Sequence, residues 1–137
     1  MSTPPTDRLI RHFLKEGYAI HGALGSNEYP SPPKIPNHGF GDGRERVPAV
    51  IAHDPLNNRV VFGIGRPDRK SLDTEESLTD YNVYLDHNAL RGKHASVLCV
   101  LIPAEHLAAF TDIITHYIHR EYWERIRAVV DEGINEE

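Results

Sequence analysis

Two hydrophobic periods run along this chain, and each marks a different kind of element. Leu9, Ile10, Phe13 and Leu14 fall at helical spacing and predict a first helix. Thr6 or Ser2 is its expected cap, Pro4-Pro5 bars an earlier start, and Gly17 suits a left-handed closing position. Tyr18 to Ala23 then reads as a short strand. Arg46–His53 and Arg59–Ile64 are two runs rich in Val and Ile, joined by Asp54-Pro55-Leu56-Asn57-Asn58, and together they predict a hairpin. Helical spacing returns with Leu78, Tyr81 and Tyr84 or Leu85, which predicts a second helix from about Thr74 to Ala89 or Leu90.

Val97 to Ile102 is apolar at every position, the pattern of a central strand covered on both faces. Pro103 suits the first position of a last helix, whose stripe is Leu107, Phe110, Ile113, Ile114, Tyr117 and Ile118. The same spacing continues through Tyr122, Ile126 and Val129 to Gly133. An unbroken helix of about 30 residues would be about 45 Å long. That exceeds what one sheet needs, so a break near Glu121 or a partner surface is implied. The fold class is α/β: a mixed, mainly four-stranded sheet with helices on both faces, in the order helix, three strands, helix, strand, helix.

Residues 24–45 fit neither period. Pro30, Pro32, Pro33 and Pro36 exclude regular structure, so Tyr29 to Pro33 is expected to run extended and to pack along its own domain. Gly39–Gly43 (GFGDG) has neither phosphate-loop nor dinucleotide spacing and reads as a turn into Arg46.

The chain has 137 residues, which predicts one domain spanning 1–137 with an acidic tail at 131–137. The net charge of −5 argues against a dedicated duplex-binding protein. Arg44, Arg46, Arg66, Arg69 and Lys70 form its basic concentration. Arg66, Arg69 and Lys70 are therefore phosphate-binding candidates, against the plainer reading that they pair with Asp68, Asp73, Glu75 and Glu76. Cys99, the single cysteine, lies in the apolar run and reads as a small hydrophobe, not a catalytic thiol. No apolar run reaches membrane-spanning length and no signal-peptide pattern opens the chain, so the expected location is cytoplasmic. His116 and His119, followed by Glu121, invite a zinc reading, but no further ligand cluster accompanies them and two polar-face histidines are the plainer account.

The hairpin followed by a helix resembles the core of the PD-(D/E)xK, restriction-endonuclease-like superfamily. That resemblance implies an Asp after a Pro on one strand and an acid-x-Lys triplet on the next. Together they would hold magnesium and polarise the attacking water. Here Val47-Pro48 is followed by Ala49, and Gly63-Ile64-Gly65-Arg66 occupies the place of Gly, acid, any residue, Lys. Ile64 cannot bind a metal, and Arg66 keeps a charge but cannot act as a base. Asp80 falls about where the family carries a helix Gln.

The resemblance thus implies a degenerate catalytic site, no cofactor, and a binding or assembly module. A homodimer through the C-terminal helix is expected, with Tyr122, Trp123 or Ile126 at the contact, and any contact with nucleic acid is expected to be weak. The alternative is a magnesium-dependent endonuclease whose acids have migrated to Asp7, Asp54, Asp73, Asp80 or Glu75.

Overall fold

A computed structural model describes residues 4–35, 46–87 and 94–131 of the chain. Its elements run α1 (Pro4–Lys15), β1 (Ala19–Ala23), β2 (Val50–Asp54), β3 (Arg59–Gly65), α2 (Glu75–Asp86), β4 (Val97–Pro103), α3 (Leu107–Tyr117) and β5 (Ile126–Asp131). The five strands form one mixed sheet in the order β1-β2-β3-β4-β5. β1, β2 and β3 pair antiparallel, while β3, β4 and β5 pair parallel. No helix among the described residues is long and apolar enough to cross a membrane.

Strand alternation divides the core in two. On one face α1 sets Leu9 and Phe13 against Val50, Ala52, Val61, Val97, Cys99 and Leu101. Gly63 permits the close fit, because a Cβ there would stand 3.0 Å from the Phe13 ring and 3.2 Å from Leu9. On the other face α2 and α3 cover Phe62, Ile64, Leu98, Val100 and Ile102. Cys99 is buried, and burial pushes its thiol up to about 12, in keeping with a packing role.

The β2–β3 hairpin forms, with β2 starting at Val50 and not at the predicted Arg46 and ending at Asp54, which builds the turn. One carboxylate oxygen accepts from the amides of Leu56 (3.1 Å) and Asn57 (3.3 Å), and the other from the Asn57 side chain (2.8 Å). Gly17 closes α1 with φ +86°, also as expected. α1 itself begins at Pro4, so Thr6 lies inside the helix and does not cap it, while Ser2 lies outside the described residues. α2 is capped by Thr74, whose side chain accepts from the Ser77 amide, and stops at Asp86, short of the expected end; residues 88–90 of that expectation lie outside the described residues. The segment after β1 packs along its own domain, with the Ala23 amide donating to Pro30 (2.9 Å) and Ile35 bridging Arg46. The expected turn at 39–43 lies outside the described residues.

The largest correction concerns the end of the chain. α3 starts at Leu107, after a 3-10 turn at Ala104–His106, so Pro103 ends β4 and does not open the helix. α3 stops at Tyr117, Ile118 is extended, and a 3-10 turn, Arg120–Arg125, leads into a fifth strand where the spacing suggested continued helix. A break near Glu121 therefore occurs. Tertiary contacts fix it: the Trp123 indole donates to Ile118 (3.0 Å), and Arg125 Nη1 donates to the carbonyls of Leu85 and Ser96, both at 2.8 Å. Ile126 and Val129, three apart, fit a helical stripe, but β-branched residues serve a strand as well.

Two outcomes are expected. Gly63→Val would push Phe13 off the sheet and lower stability by about 1–3 kcal/mol in urea unfolding. Asp54→Ala removes a buried acceptor of several donors and is expected to lower stability by about 2 kcal/mol at neutral pH. Burial alone would raise the Asp54 carboxyl, but the bonds from Asn57 and Leu56, with the Arg59 charge, outweigh it and hold it below 3.8. A depressed folded value means that its stabilisation is complete above 3.8 and is lost as pH falls through that lower value. The gap between native and variant protein should therefore close in acid.

Candidate functional site

At the opposite end of the hairpin from Asp54, a recess of about 310 Å³ opens between α2 and the start of β2. The face of α2 that carries Glu76, Asp80 and Tyr84, four residues apart, forms one wall. Ala49, Ile64, Gly65 and Arg66 form the hairpin side, with Arg46 and Val47 from the segment leading into β2. Leu24 and Val47, 47 % and 41 % exposed, also border it.

Ala49, Ile64 and Arg66 lie together at one end of the hairpin, but Ala49 and Ile64 pack on opposite faces of the sheet, which counts against the nuclease resemblance. The Ala49 amide donates to the Gly63 carbonyl (2.9 Å), although Gly63 is the register partner of Val50. Two residues thus face one, a bulge at the start of β2 that re-aims Ala49. Ala49 packs with the α1 cluster and Ile64 belongs to the α2 cluster, so the two reach the recess from different sides of the sheet.

The floor is an ion-pair triad. Arg46 Nε donates to Asp80 Oδ1, and Arg66 Nη2 donates to Asp80 Oδ2 at 2.5 Å. Arg66 also donates to Ser77 Oγ (2.7 Å) and to the Gly65 carbonyl (2.8 Å), while its amide continues the ladder to Leu101 (2.9 Å). Ser77 Oγ donates to the Ser71 carbonyl (2.6 Å), and Tyr81 Oη donates to the Leu72 carbonyl (2.8 Å). Burial raises the Asp80 carboxyl above its ordinary value, against the hydrogen bond from Arg46 and the charges of Arg66 and Arg46. Tyr84, buried at the same wall, is also raised by burial, with the Asp80 charge adding. Such a triad fixes geometry more than it adds net stability.

The other predicted residues are dispersed. Asp54 holds the far turn, and its carboxylate lies 3.6 Å from Arg59. Asp7 is exposed on α1, which packs on the opposite face of the sheet. Asp73 pairs with Arg69 at 3.6 Å, and Glu75 is exposed in the first turn of α2. Arg69 and Lys70 stand exposed on the 3-10 turn Arg69–Ser71 and are not part of the recess lining. Among the described residues no group of three or more His, Cys, Asp or Glu side chains could hold a metal ion. His116 ends α3 whereas His119 caps the following 3-10 turn, so the pair does not share one helix face as the zinc reading required.

Arg46, Glu76, Ser77 and Tyr84 are the site residues that sequence reasoning did not single out. The four-residue spacing of Glu76, Asp80 and Tyr84 was the available signal. Nothing local pairs Arg46 with Asp80, 34 positions away. No protein-family model, no curated protein and no solved structure matches this chain.

Asp80→Ala leaves two largely buried guanidinium groups without their shared carboxylate and is expected to cost about 3–5 kcal/mol. Replacing Arg46, Asp80 and Arg66 together by Met, Leu and Met should recover most of that loss. Urea midpoints of the single and triple variants provide the comparison.

Proposed function

We propose that this chain is a non-catalytic derivative of the restriction-endonuclease-like fold and works as a binding or assembly module. The order helix, three strands, helix, strand, with a β2–β3 hairpin leading to α2, supports the architecture. One observation carries the functional half. Where the nuclease chemistry needs free acids and a lysine, both oxygens of Asp80 are engaged by Arg46 and Arg66, beside Ala49 and Ile64. A carboxylate held by two guanidinium groups is a poor ligand for magnesium, which demands oxygens in near-octahedral geometry. Against the resemblance stands the packing of Ala49 and Ile64 with different clusters, on opposite faces of the sheet.

Of the migrated-acid candidates only Asp80 lines the recess, with Glu76 beside it, and both Asp80 oxygens are taken by Arg46 and Arg66; Asp7, Asp54, Asp73 and Glu75 are not part of the lining. Contact with nucleic acid reduces to phosphate pairing by the exposed Arg69 and Lys70, opposed by a net charge of −5.

Incubated with supercoiled plasmid and magnesium or manganese, the native protein is expected to give no nicked product, and calorimetric titration with either metal to give no binding heat. Loss of the metal and its acids removes the main source of transition-state stabilisation, so the rate should not exceed background. Metal-dependent nicking that disappears in Asp80→Asn or Glu76→Gln, with wild-type unfolding retained, would replace this reading with an enzyme.

A further inference from the structure

The two edges of the sheet are finished differently. Beside β1 runs the proline-rich segment: Ala23 donates to Pro30, and Pro30, Pro32 and Pro33 have no amide to offer a further strand. At the other edge β5 pairs with β4 on one side, and no described residue pairs with its outer side. That edge is six residues long, IRAVVD, and it contains no proline and no lysine. Proline and lysine are two of the devices that usually blunt a free edge; the charges this strand does carry, Arg127 and an aspartate at 131, are of opposite sign.

The strand is self-complementary about Val129. Antiparallel pairing with β5 of a second copy, about a two-fold axis through Val129 normal to the sheet, keeps the two faces of the joined sheet continuous. It sets Arg127 opposite position 131, an aspartate, and symmetry repeats that pair. Val129 then meets its own counterpart, and Ala128 meets Val130. Moving the axis to Ala128 sets Arg127 opposite Val129, and moving it to Val130 sets Val129 opposite Asp131. Both shifts lose the two Arg127 pairs. The first brings Arg125 opposite position 131, but Arg125 precedes the strand and its Nη1 is held by the carbonyls of Leu85 and Ser96, so the charge pattern within β5 selects a single register.

The α3 side of the same strand fits this register. Ile126 and Ala128 line an apolar hollow of about 190 Å³ with Phe110, Ile114 and Trp123. Trp123 is 39 % exposed and Val130 is 37 % exposed. The chosen register places the partner copy's strand alongside this hollow, with a valine at the position next to Ala128.

We infer that β5 is a homodimer interface, pairing antiparallel with β5 of a second copy in the register centred on Val129, so that two five-stranded sheets join into one. It gives the proposed assembly role a partner of stated identity, yet stands on β5 alone and does not depend on the recess. A nicking assay tests the recess and leaves this interface untouched.

Sedimentation of the full chain across a concentration series tests it. The native protein should dimerise. Arg127→Glu and Asp131→Lys, made singly, each set like charges opposite one another at both symmetry-related pairs. Each should weaken the dimer by about tenfold or more, and the double variant should restore it. Circular dichroism and urea midpoints check that each variant folds. Should a reversal fail to fold, Val129→Cys supplies a second measurement. Opposed cysteines across the axis are expected to oxidise to a covalent dimer, with the native protein, whose Cys99 is buried, as the control. A native monomer at the highest soluble concentration, a dimer indifferent to the reversals, or no cross-link through position 129 would each overturn the inference.

Discussion

β4 constrains the rest of the structure. Val97, Leu98, Cys99, Val100, Leu101 and Ile102 are each 3 % exposed or less, so this strand needs apolar cover on both faces and a paired strand on both edges. A strand apolar throughout is unstable at a sheet edge, where one row of amides and carbonyls meets water. β3 satisfies one edge through a parallel ladder, and the crossover between them is α2. The second edge must be filled by chain that follows β4. α3 returns across the sheet, and Ile126–Asp131 supplies the missing partner. The two-sided cover follows in the same way: α1 lies on one face, α2 and α3 on the other.

The recess depends on this frame. β3 carries Arg66 just past its end, and the Arg66 amide is held by Leu101 of β4, so the guanidinium enters the triad from a rigid ladder. α2 presents Asp80 from above, and the short Ile35–Arg46 bridge fixes the approach of Arg46. Three separate pieces of backbone thus converge on one carboxylate. The result is a charged floor with little freedom to rearrange, beneath a border that includes the exposed Leu24 and Val47.

The same frame accounts for the asymmetry of the edges. β1 ends the antiparallel half, and the proline segment that follows it turns back along that edge at once. β5 ends the parallel half, is last in chain order, and is entered from a 3-10 turn. The molecule therefore has a covered edge and an edge open among the described residues, and its recess lies at an end of the hairpin, clear of β5. The recess lining and the residues of β5 have no member in common.

The sequence by itself determined most of the frame. The hairpin, its Asp54 turn, the left-handed Gly17 and the burial of the 97–102 run all follow from local periodicity and turn chemistry, which act over a few residues. Arg66 and Asp80 were marked as candidate positions, as were Ala49 and Ile64, because a resemblance gave them places in a known pattern. Only the tertiary structure decided the fate of residues 118–131. A spacing of three between Ile126 and Val129 serves helix and strand alike, and contacts of Trp123 with Ile118 and of Arg125 with Leu85 and Ser96 break the tie. It also decided that Asp80 joins Arg46 and Arg66, that Asp54 faces away from them, and that a bulge turns Ala49 toward the α1 cluster. Those outcomes rest on pairings between residues far apart in the chain, and hydrophobic periodicity carries no information about them.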